Sequence, residues 1–492
     1  LKEAMKIEFK HQEDEFDDFA FESLLPHKNS QMGPGMAVGD VNGDGLEDFF
    51  IGNAANSHGT FYLQTKDSKF KELPGPWIGD SIYEDTGALL FDADNDGKPD
   101  LYVVSGGNEN NSKTIYRDRL YLNTKNGFIK SENGIPELMN WSGKCVKAAD
   151  YDNDGDIDLF IGGRIVPGKY PTPANSYILQ NNGKKGKDLK FVDVTSQIAP
   201  LFKKMGLVTD ALWTDFDFDG DKDLIVVGEW MKINFFENTK KGFTDITQKL
   251  GFKETIGWWY SINNADIDSD GDDDYIVGNL GLNYKYKTGN NEPISIYSND
   301  YDVDGKMDIV LSYVEKGKKF PVRGLDASAM QIPVLRKRFT THKQFASATL
   351  EDIYGEDMLN ASLHYTANTF ESYWIENKRN GKFEMHVLPN WAQLSSINDM
   401  AAIKYENNNH AFIIAGNLYS SEVETPRNDA SIGLVMTFSN GEIKAVPPAE
   451  SNFMIRGEVK VIEKIKLASG KEAYLFGIND DALKLIEYNA KH

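Results

Sequence analysis

A nine-residue acidic pattern, D-x-[DN]-x-D-G-x-x-D, occurs six times in this 492-residue chain and constrains its fold more than any other feature. The copies begin at Asp40, Asp92, Asp150, Asp215, Asp266 and Asp300, at steps of 52, 58, 65, 51 and 34 residues. Self-similarity at such intervals marks an architecture of repeated units. The chemistry of the spacing is that of calcium. Oxygens at positions 1, 3, 5 and 9, with the main-chain carbonyl of position 7, can surround one hard cation, and the glycine at position 6 allows the sharp turn. A single copy reads equally well as a solvated acidic turn. Six in register predict about six bound Ca2+ ions, because bare carboxylates so close together repel one another. The expected ligands are Asp40, Asn42, Asp44, Leu46 and Asp48 in the first loop, and Asp92, Asp94, Asp96, Lys98 and Asp100 in the second. They are Asp150, Asp152, Asp154, Asp156 and Asp158 in the third, and Asp215, Asp217, Asp219, Asp221 and Asp223 in the fourth. The fifth loop offers Asp266, Asp268, Asp270, Asp272 and Asp274, and the sixth Asp300, Asp302, Asp304, Lys306 and Asp308.

These loops are not EF-hands, which need a Glu at position 12 and flanking helices. Position 12 is Ile51, Val103, Ile161, Val226, Val277 or Leu311. Short apolar runs follow the loops, as in Phe49-Phe-Ile-Gly and Leu159-Phe-Ile-Gly, and others precede them, as in Met36-Ala-Val and Ala211-Leu-Trp. Each loop is therefore expected to join the two strands of a hairpin. A second strand pair follows most hairpins, for example Arg119-Leu-Tyr-Leu-Asn with Gly127-Phe-Ile. Four strands in about fifty residues is the arithmetic of a β-propeller blade. The expected fold class is all-β.

The acidic pattern lapses after Asp308. Hairpins at 398–416 and 458–477 keep their apolar strands without the carboxylates, which predicts two blades without calcium. The 34-residue step is too short for a blade, and Val334 to Tyr354 has helical spacing. Residues 258–388 are thus expected to form one blade, interrupted by a partly helical insertion at 281–366 that carries the sixth loop. This gives seven blades; if the sixth loop starts its own blade, the count is eight. Lys6-Ile-Glu-Phe-Lys is expected to complete the last blade, Gly457 to Tyr488, so that 1–492 form one closed ring without free sheet edges.

The loops followed by an apolar strand and glycine resemble FG-GAP (VCBS-type) repeats, the calcium-binding propeller units of integrin α subunits and many bacterial surface proteins. The nearer resemblance is to bacterial FG-GAP proteins of the cartilage-acidic-protein (ASPIC/UnbV-associated) type. It is carried by Leu25-Pro-His-Lys, Gly39-Asp-Val-Asn-Gly-Asp-Gly, Gly278-Asn-Leu-Gly-Leu-Asn-Tyr-Lys-Tyr-Lys, Phe345-Ala-Ser-Ala-Thr-Leu-Glu-Asp, Ala415-Gly-Asn-Leu-Tyr and Glu422-Val-Glu-Thr-Pro-Arg-Asn-Asp. The resemblance spans nearly the whole chain and implies fold and metal, not ligand. Longer relatives of this type carry such a segment at their C-terminus, so a chain beginning at Leu1 is expected to be a mature or trimmed fragment.

Lys plus Arg number 53 and Asp plus Glu 75, a formal charge of −22, which argues against a nucleic-acid partner. Six Ca2+ ions would reduce this to roughly −10. No run has the 18 or more apolar residues of a membrane helix. The lone Cys145 excludes an internal disulfide framework and a cysteine-ligated zinc site. Calcium loops of this kind often suit millimolar, extracellular calcium, which with the resemblance predicts an extracellular or cell-surface location, associated with the outer membrane.

The second loops of the blades should project on the face opposite the calcium loops, around the central channel. Their candidate binding residues are Asn53, Asn108, Glu109, Arg164, Glu229, Trp230, Asn279 and Asn417, with Glu422 and Arg427 from the segment that follows. Each alone reads as a strand-end cap; together they have the form of a binding face. No H-E-x-x-H, G-x-S-x-G or phosphate-loop motif is present. Arg336-Lys337-Arg338 reads as a solvated helix face, and Trp258-Trp259-Tyr260 as an inner strand rather than a sugar platform. The expected function is a non-enzymatic, calcium-stabilised module that binds a protein partner. A polysaccharide-binding or carbohydrate-active propeller, a lyase or hydrolase, is the alternative.

Overall fold

A computed structural model describes residues 2–109, 113–138, 142–379, 381–405, 409–439 and 442–487. Tyr488, the end of the expected last blade, and the turn at 406–408, within the expected hairpin at 398–416, lie outside the described residues. Eight antiparallel sheets account for all the strands among the described residues. In the first, Met36–Gly39, Asp48–Ile51, Thr60–Gln64 and Phe70–Leu73 follow one another as a meander. Six more sheets have the same order, and their first strands are Glu84–Phe91, Ser142–Ala149, Leu207–Thr214, Ser261–Ala265, Ile397–Tyr405 and Val459–Lys466. These seven first strands neighbour one another in chain order, and the last returns to the first. The sheets are therefore the blades of a β-propeller, with the first strands lining its axis.

Alternation explains the strand positions. In Asp223–Met231 every residue is buried, as a strand between two packed neighbours should be, whereas the fourth strand of the same blade, Gly242–Asp245, buries Phe243 and exposes Thr244 and Asp245. Apolar side chains from adjacent blades interleave into separate cores. One core joins Phe160 and Ile178 of the third blade to Val208, Leu224 and Phe236 of the fourth.

The fifth blade is discontinuous. Its strands Ser261–Ala265 and Asp274–Gly278 pair with Tyr373–Asn377 and Phe383–Val387. The intervening chain builds a separate four-stranded sheet of Lys318–Pro321, Asp308–Glu315, Ile294–Asn299 and Leu363–Ala367. The expected helical stretch from Val334 to Tyr354 is not one helix but three short ones, Leu335–Arg338, His342–Ser347 and Leu350–Tyr354. Thr341 and Thr349 restart the helix each time by capping a main-chain N–H three residues on.

The N-terminal strand Lys2–Lys10 pairs with Ala482–Glu487 and is the fourth strand of the last blade. Ile7 and Phe9 join Leu475 and Leu485 in the same core as Met36, Phe49 and Ile51 of the first blade. Deleting residues 1–10 is expected to lower the unfolding midpoint and to give concentration-dependent self-association in light scattering, because the Ala482–Glu487 edge loses its partner. An unchanged midpoint and a monomer would contradict this role for the seam.

Candidate functional site

The six acidic loops share one geometry. The first Asp accepts main-chain N–H bonds from the turn it encloses, as Asp92 does from Asp96 (3.0 Å) and Gly97 (2.8 Å), and Asp300 from Asp304 (3.0 Å) and Gly305 (2.9 Å). The fifth-position Asp accepts from the N–H of position 7, as in Asp154 from Asp156 at 2.9 Å. The glycine at position 6 is left-handed in every loop, with φ between 83° at Gly45 and 94° at Gly220. Position 4 is left-handed as well, and here the residues are Gly43, Asn95, Asn153, Phe218, Ser269 and Val303. The paired left-handed residues fold the loop so that its remaining carboxylate oxygens converge. The carboxylates of Asp92, Asp94 and Asp96 come within 4.8 Å of one another, as do those of Asp150, Asp152 and Asp158, of Asp215, Asp217 and Asp223, and of Asp266, Asp268 and Asp270. Asp94 Oδ1, Asp158 Oδ2, Asp215 Oδ1, Asp266 Oδ1 and Asp302 Oδ1 are buried without a hydrogen-bond partner. Orphaned carboxylate oxygens in an all-oxygen cradle fit a hard divalent cation.

The ninth-position Asp is the most buried ligand, and a latch runs through it. Asp100 Oδ1 accepts the N–H of Asn123 (2.7 Å), Asp158 Oδ1 that of Asn181 (2.7 Å), Asp223 Oδ1 that of Asn238 (2.7 Å) and Asp274 Oδ1 that of Asn377 (2.9 Å). These asparagines sit on the third strands. Each side-chain amide then donates to the second residue of the preceding blade's loop: Asn123 to Val41 O (2.7 Å), Asn181 to Ala93 O (2.8 Å), Asn238 to Tyr151 O (2.7 Å) and Asn377 to Phe216 O (3.2 Å). Gln64 does the same across the seam, to Lys466 O at 3.1 Å. Two loops also touch their successors, Asn95 donating to Asp156 and Asn153 to Asp221. Asn181→Ala leaves the carbonyls of Ala93 and Ile157 without this donor. It is expected to destabilise the protein by about 1–3 kcal/mol, read as a lower denaturant midpoint.

Burial, reinforced by neighbouring carboxylates, raises these ninth-position acids: Asp48 to about 6, Asp100, Asp158, Asp274 and Asp308 to about 7, and Asp223 to about 8. A raised folded-state value means that ionisation opposes folding. Their contribution is fully present below the ordinary aspartate range and is lost as pH rises through about 6 to 8. Calcium takes only the ionised form, so the gap between unfolding midpoints in calcium and in chelator is expected to widen as pH is raised through that window. A gap independent of pH would contradict this assignment.

The face opposite the blade loops is covered at the channel mouth, where His27, Lys28, Asn29 and Met32 face Lys144, Arg164 and Lys460. Residues 11–32 lie across the channel mouth, and the segment 418–429 lies beside them. Lys28 N donates to Ser420 O (3.0 Å) and Glu422 N to Pro26 O (3.2 Å). Several candidate binding residues hold this cover. Glu229 pairs with Arg164, accepts a bond from Tyr170 Oη and lies 3.0 Å from His27 Nε2. Burial alone would raise the Glu229 carboxyl, but His27 and Arg164 outweigh it and hold the group well below its ordinary range. Trp230 Nε1 donates to Tyr170 Oη at 2.7 Å. Asn108 donates to Asp18 and Glu22, each at 3.0 Å, and Asn53 Oδ1 accepts the N–H of Gln12 at 3.0 Å. Glu109 lies on the same side, beside Glu84. Asn279 and Asn417 are buried strand-end caps, the first accepting from Trp258 N and the second donating to Ser431 O and Gly457 O. Glu422 is paired with Arg323, and Arg427 stacks on Tyr419, 4.4 Å from the ring centre.

Behind the cover, a channel of about 250 Å³ is lined by Lys144, Lys147, Asp210, Asp399, Lys460 and Glu463. Lys147 pairs with Asp210 at 2.9 Å, and Lys144 Nζ donates to Met32 O of the cover at 2.7 Å. A larger open groove of about 830 Å³ runs along the inserted sheet, lined by Lys285, Lys287, Asn290, Asn291, Glu292 and Tyr313 among others. Trp258 and Trp259 are buried, and Arg336 pairs with Asp326 inside the insertion. Sequence reasoning missed the asparagine latch, the covering segment and this groove. A signal for the first existed: each latch asparagine ends a strand of the type Tyr121-Leu-Asn or Ile375-Glu-Asn.

FG-GAP-like repeats match this chain at residues 40–103, 92–161 and 215–277, stretches that contain the first five loops. Cartilage acidic protein 1 of Xenopus tropicalis is 27% identical over 198 residues, which is 39% of this chain and 28% of that protein. A lambda-carrageenase of Pseudoalteromonas sp is 27% identical over 218 residues, 43% of this chain and 20% of that protein. The matches thus span under a third of either relative. Among solved structures, the V. cholerae biofilm matrix protein Bap1 aligns with a TM-score of 0.37 at 11% identity, over 99% of this chain and 91% of that one. Saccharomyces cerevisiae Sqt1 aligns with a TM-score of 0.42 at 11% identity, over 94% of this chain and 97% of that one.

Proposed function

We propose that this chain is a calcium-organised propeller that acts as a non-enzymatic, protein-binding module outside the cell, at the surface and associated with the outer membrane. The observation that carries the reading is the set of buried, unpartnered carboxylate oxygens, repeated across the blade loops on one face and again in the loop of the inserted sheet. In this reading the thirty loop residues from Asp40 to Asp308 supply about six Ca2+ sites. The ions neutralise the acids, rigidify the loops and make that face, rather than the covered one, the surface a partner meets. Residues 281–366 serve as an insertion within one propeller. Sites of this type suit the calcium level outside cells, which supports the location.

A second reading, polysaccharide binding, has its own observation. The groove along the inserted sheet offers Tyr313 as an apolar face, with Asn290 and Asn291 amides and the ammonium groups of Lys285 and Lys287 around it, a lining that suits a hydroxyl-rich chain. The matched carrageenase also points to a glycan.

The deciding experiment is capture from native membranes with the tagged chain, in calcium and in chelator, alongside a glycan array. The protein-binding reading expects a stoichiometric partner that is lost on chelation and weakened at least tenfold by the double substitution Asp100→Asn with Asp158→Asn. No partner in either condition, with array binding abolished by Tyr313→Ala, would establish the glycan reading instead. Turnover of a glycan, lost on a groove substitution, overturns the non-enzymatic assignment.

A further inference from the structure

The covering segment crosses a second group of acids, on the second blade, that shares no residue with the six loops. Glu84 opens that blade's innermost strand, and Glu109 follows the next strand, Asp100–Gly106. Glu13 lies in the N-terminal segment, where its Oε1 accepts a bond from Asn479 Nδ2 and stands 3.9 Å from His11 Nδ1. Glu84 is 2% exposed; its Oε1 accepts the N–H of Met32 at 3.2 Å, but its Oε2 has no hydrogen-bond partner. Gly107 shows where that oxygen points. With φ at +97°, a Cβ at this position would lie 2.1 Å from Glu109 Oε2 and 2.4 Å from Glu84 Oε2. Two carboxylate oxygens therefore reach over the bare glycine to the same spot, and the Glu13 charge, after burial and Glu109, helps to raise the Glu84 carboxyl.

Nearby acids show the contrast. Asp18 accepts from Asn29 N, Ser30 N and Asn108 Nδ2, and Glu22 from Tyr170 N and Asn108 Nδ2. Both are fully accounted for as struts. The neighbouring cations are also committed. Lys460 pairs with Glu458 at 2.8 Å, and Lys144 donates to Met32 O. Among the described residues no lysine or arginine pairs with Glu13, Glu84 or Glu109. Buried carboxylates facing one another without a counterion are unstable as such.

We propose that Glu13, Glu84 and Glu109 bind one further divalent cation, of the calcium type, which fastens the N-terminal segment over the channel mouth. The donors are oxygen only, and three glutamates from three separate stretches of chain tolerate the large, irregular shell of calcium better than the strict octahedron of magnesium. The ion does for the cover what the loop ions do for the blades. It converts a repulsive contact between distant segments into a crosslink. The competing arrangement is a proton shared between Glu84 and Glu109 with no metal.

The test is to count bound calcium by elemental analysis after equilibrium dialysis, and to measure hydrogen exchange of residues 13–30, in wild type, Glu84→Gln and Glu109→Gln. Each variant is expected to hold one calcium fewer than wild type and to exchange at least tenfold faster across the cover. Glu109→Gln, at a half-buried site, keeps the test valid if Glu84→Gln does not fold. Asp158→Asn serves as control: it is expected to lose a loop ion and leave the cover's exchange unchanged, which separates the two kinds of site. An unchanged calcium count with unchanged or slower exchange in the glutamine variants identifies the shared proton and overturns the proposal.

Discussion

The ring depends on a buried carboxylate bonded to a strand amide. In blade after blade the ninth-position aspartate accepts the N–H of an asparagine on the third strand, and that asparagine reaches back to the loop of the blade before. Three things are joined at one point: the acidic loop, the outer half of its own blade, and the neighbouring blade. Apolar cores alone would hold adjacent sheets together but would fix their relative height only loosely, since strands packed face to face can slide. A directional bond from a fixed side chain sets the offset. The same acids are those that burial makes costly to ionise, so the device that orders the blades is also the one that a cation would relieve.

Much of the fold was legible because its signals are periodic. The spacing from Asp40 to Asp266 marks the blades, and the aliphatic residues Ile51, Val103 and Ile161, standing where an EF-hand needs a Glu, exclude that helix-flanked motif. The interrupted blade could be read from the 34-residue step and from the strand patterns that resume after Glu371. What stayed hidden lacks a fixed interval. Asn181 follows Asp158 by 23 residues, but Asn238 follows Asp223 by 15 and Asn377 follows Asp274 by 103, because the second loops differ so much in length. Left-handed Phe218 and Val303 are likewise invisible to propensity, which disfavours such residues there. The role of Glu229 depends on His27, 202 residues away, and no local pattern announces it.

The buried network at the covered mouth changes where interaction should be sought. Polar residues at the ends of propeller strands look like a binding face when read one by one. Here Arg164, Glu229 and Asn108 are bonded to one another or to the covering segment, Trp230 to Tyr170, and Asn279 and Asn417 to main chain. They are a binding site in a physical sense, with the chain's own residues 11–32 as its ligand. The surfaces left for others are the rim of acidic loops and the groove of the insertion.

The strand that closes the ring is the earliest part of this stretch to leave a ribosome, yet its partner at Ala482–Glu487 is among the last. For most of synthesis it must exist as an unpaired strand with an apolar face built from Ile7 and Phe9. Its other face carries Lys6, Glu8 and Lys10, all exposed in the closed ring. Charges of both signs along an unsatisfied edge discourage it from joining a stray sheet or a sister chain. The sequence of this strand is thus suited to waiting as well as to pairing, and a neutral, apolar version of the same strand would fit the finished propeller while endangering its assembly.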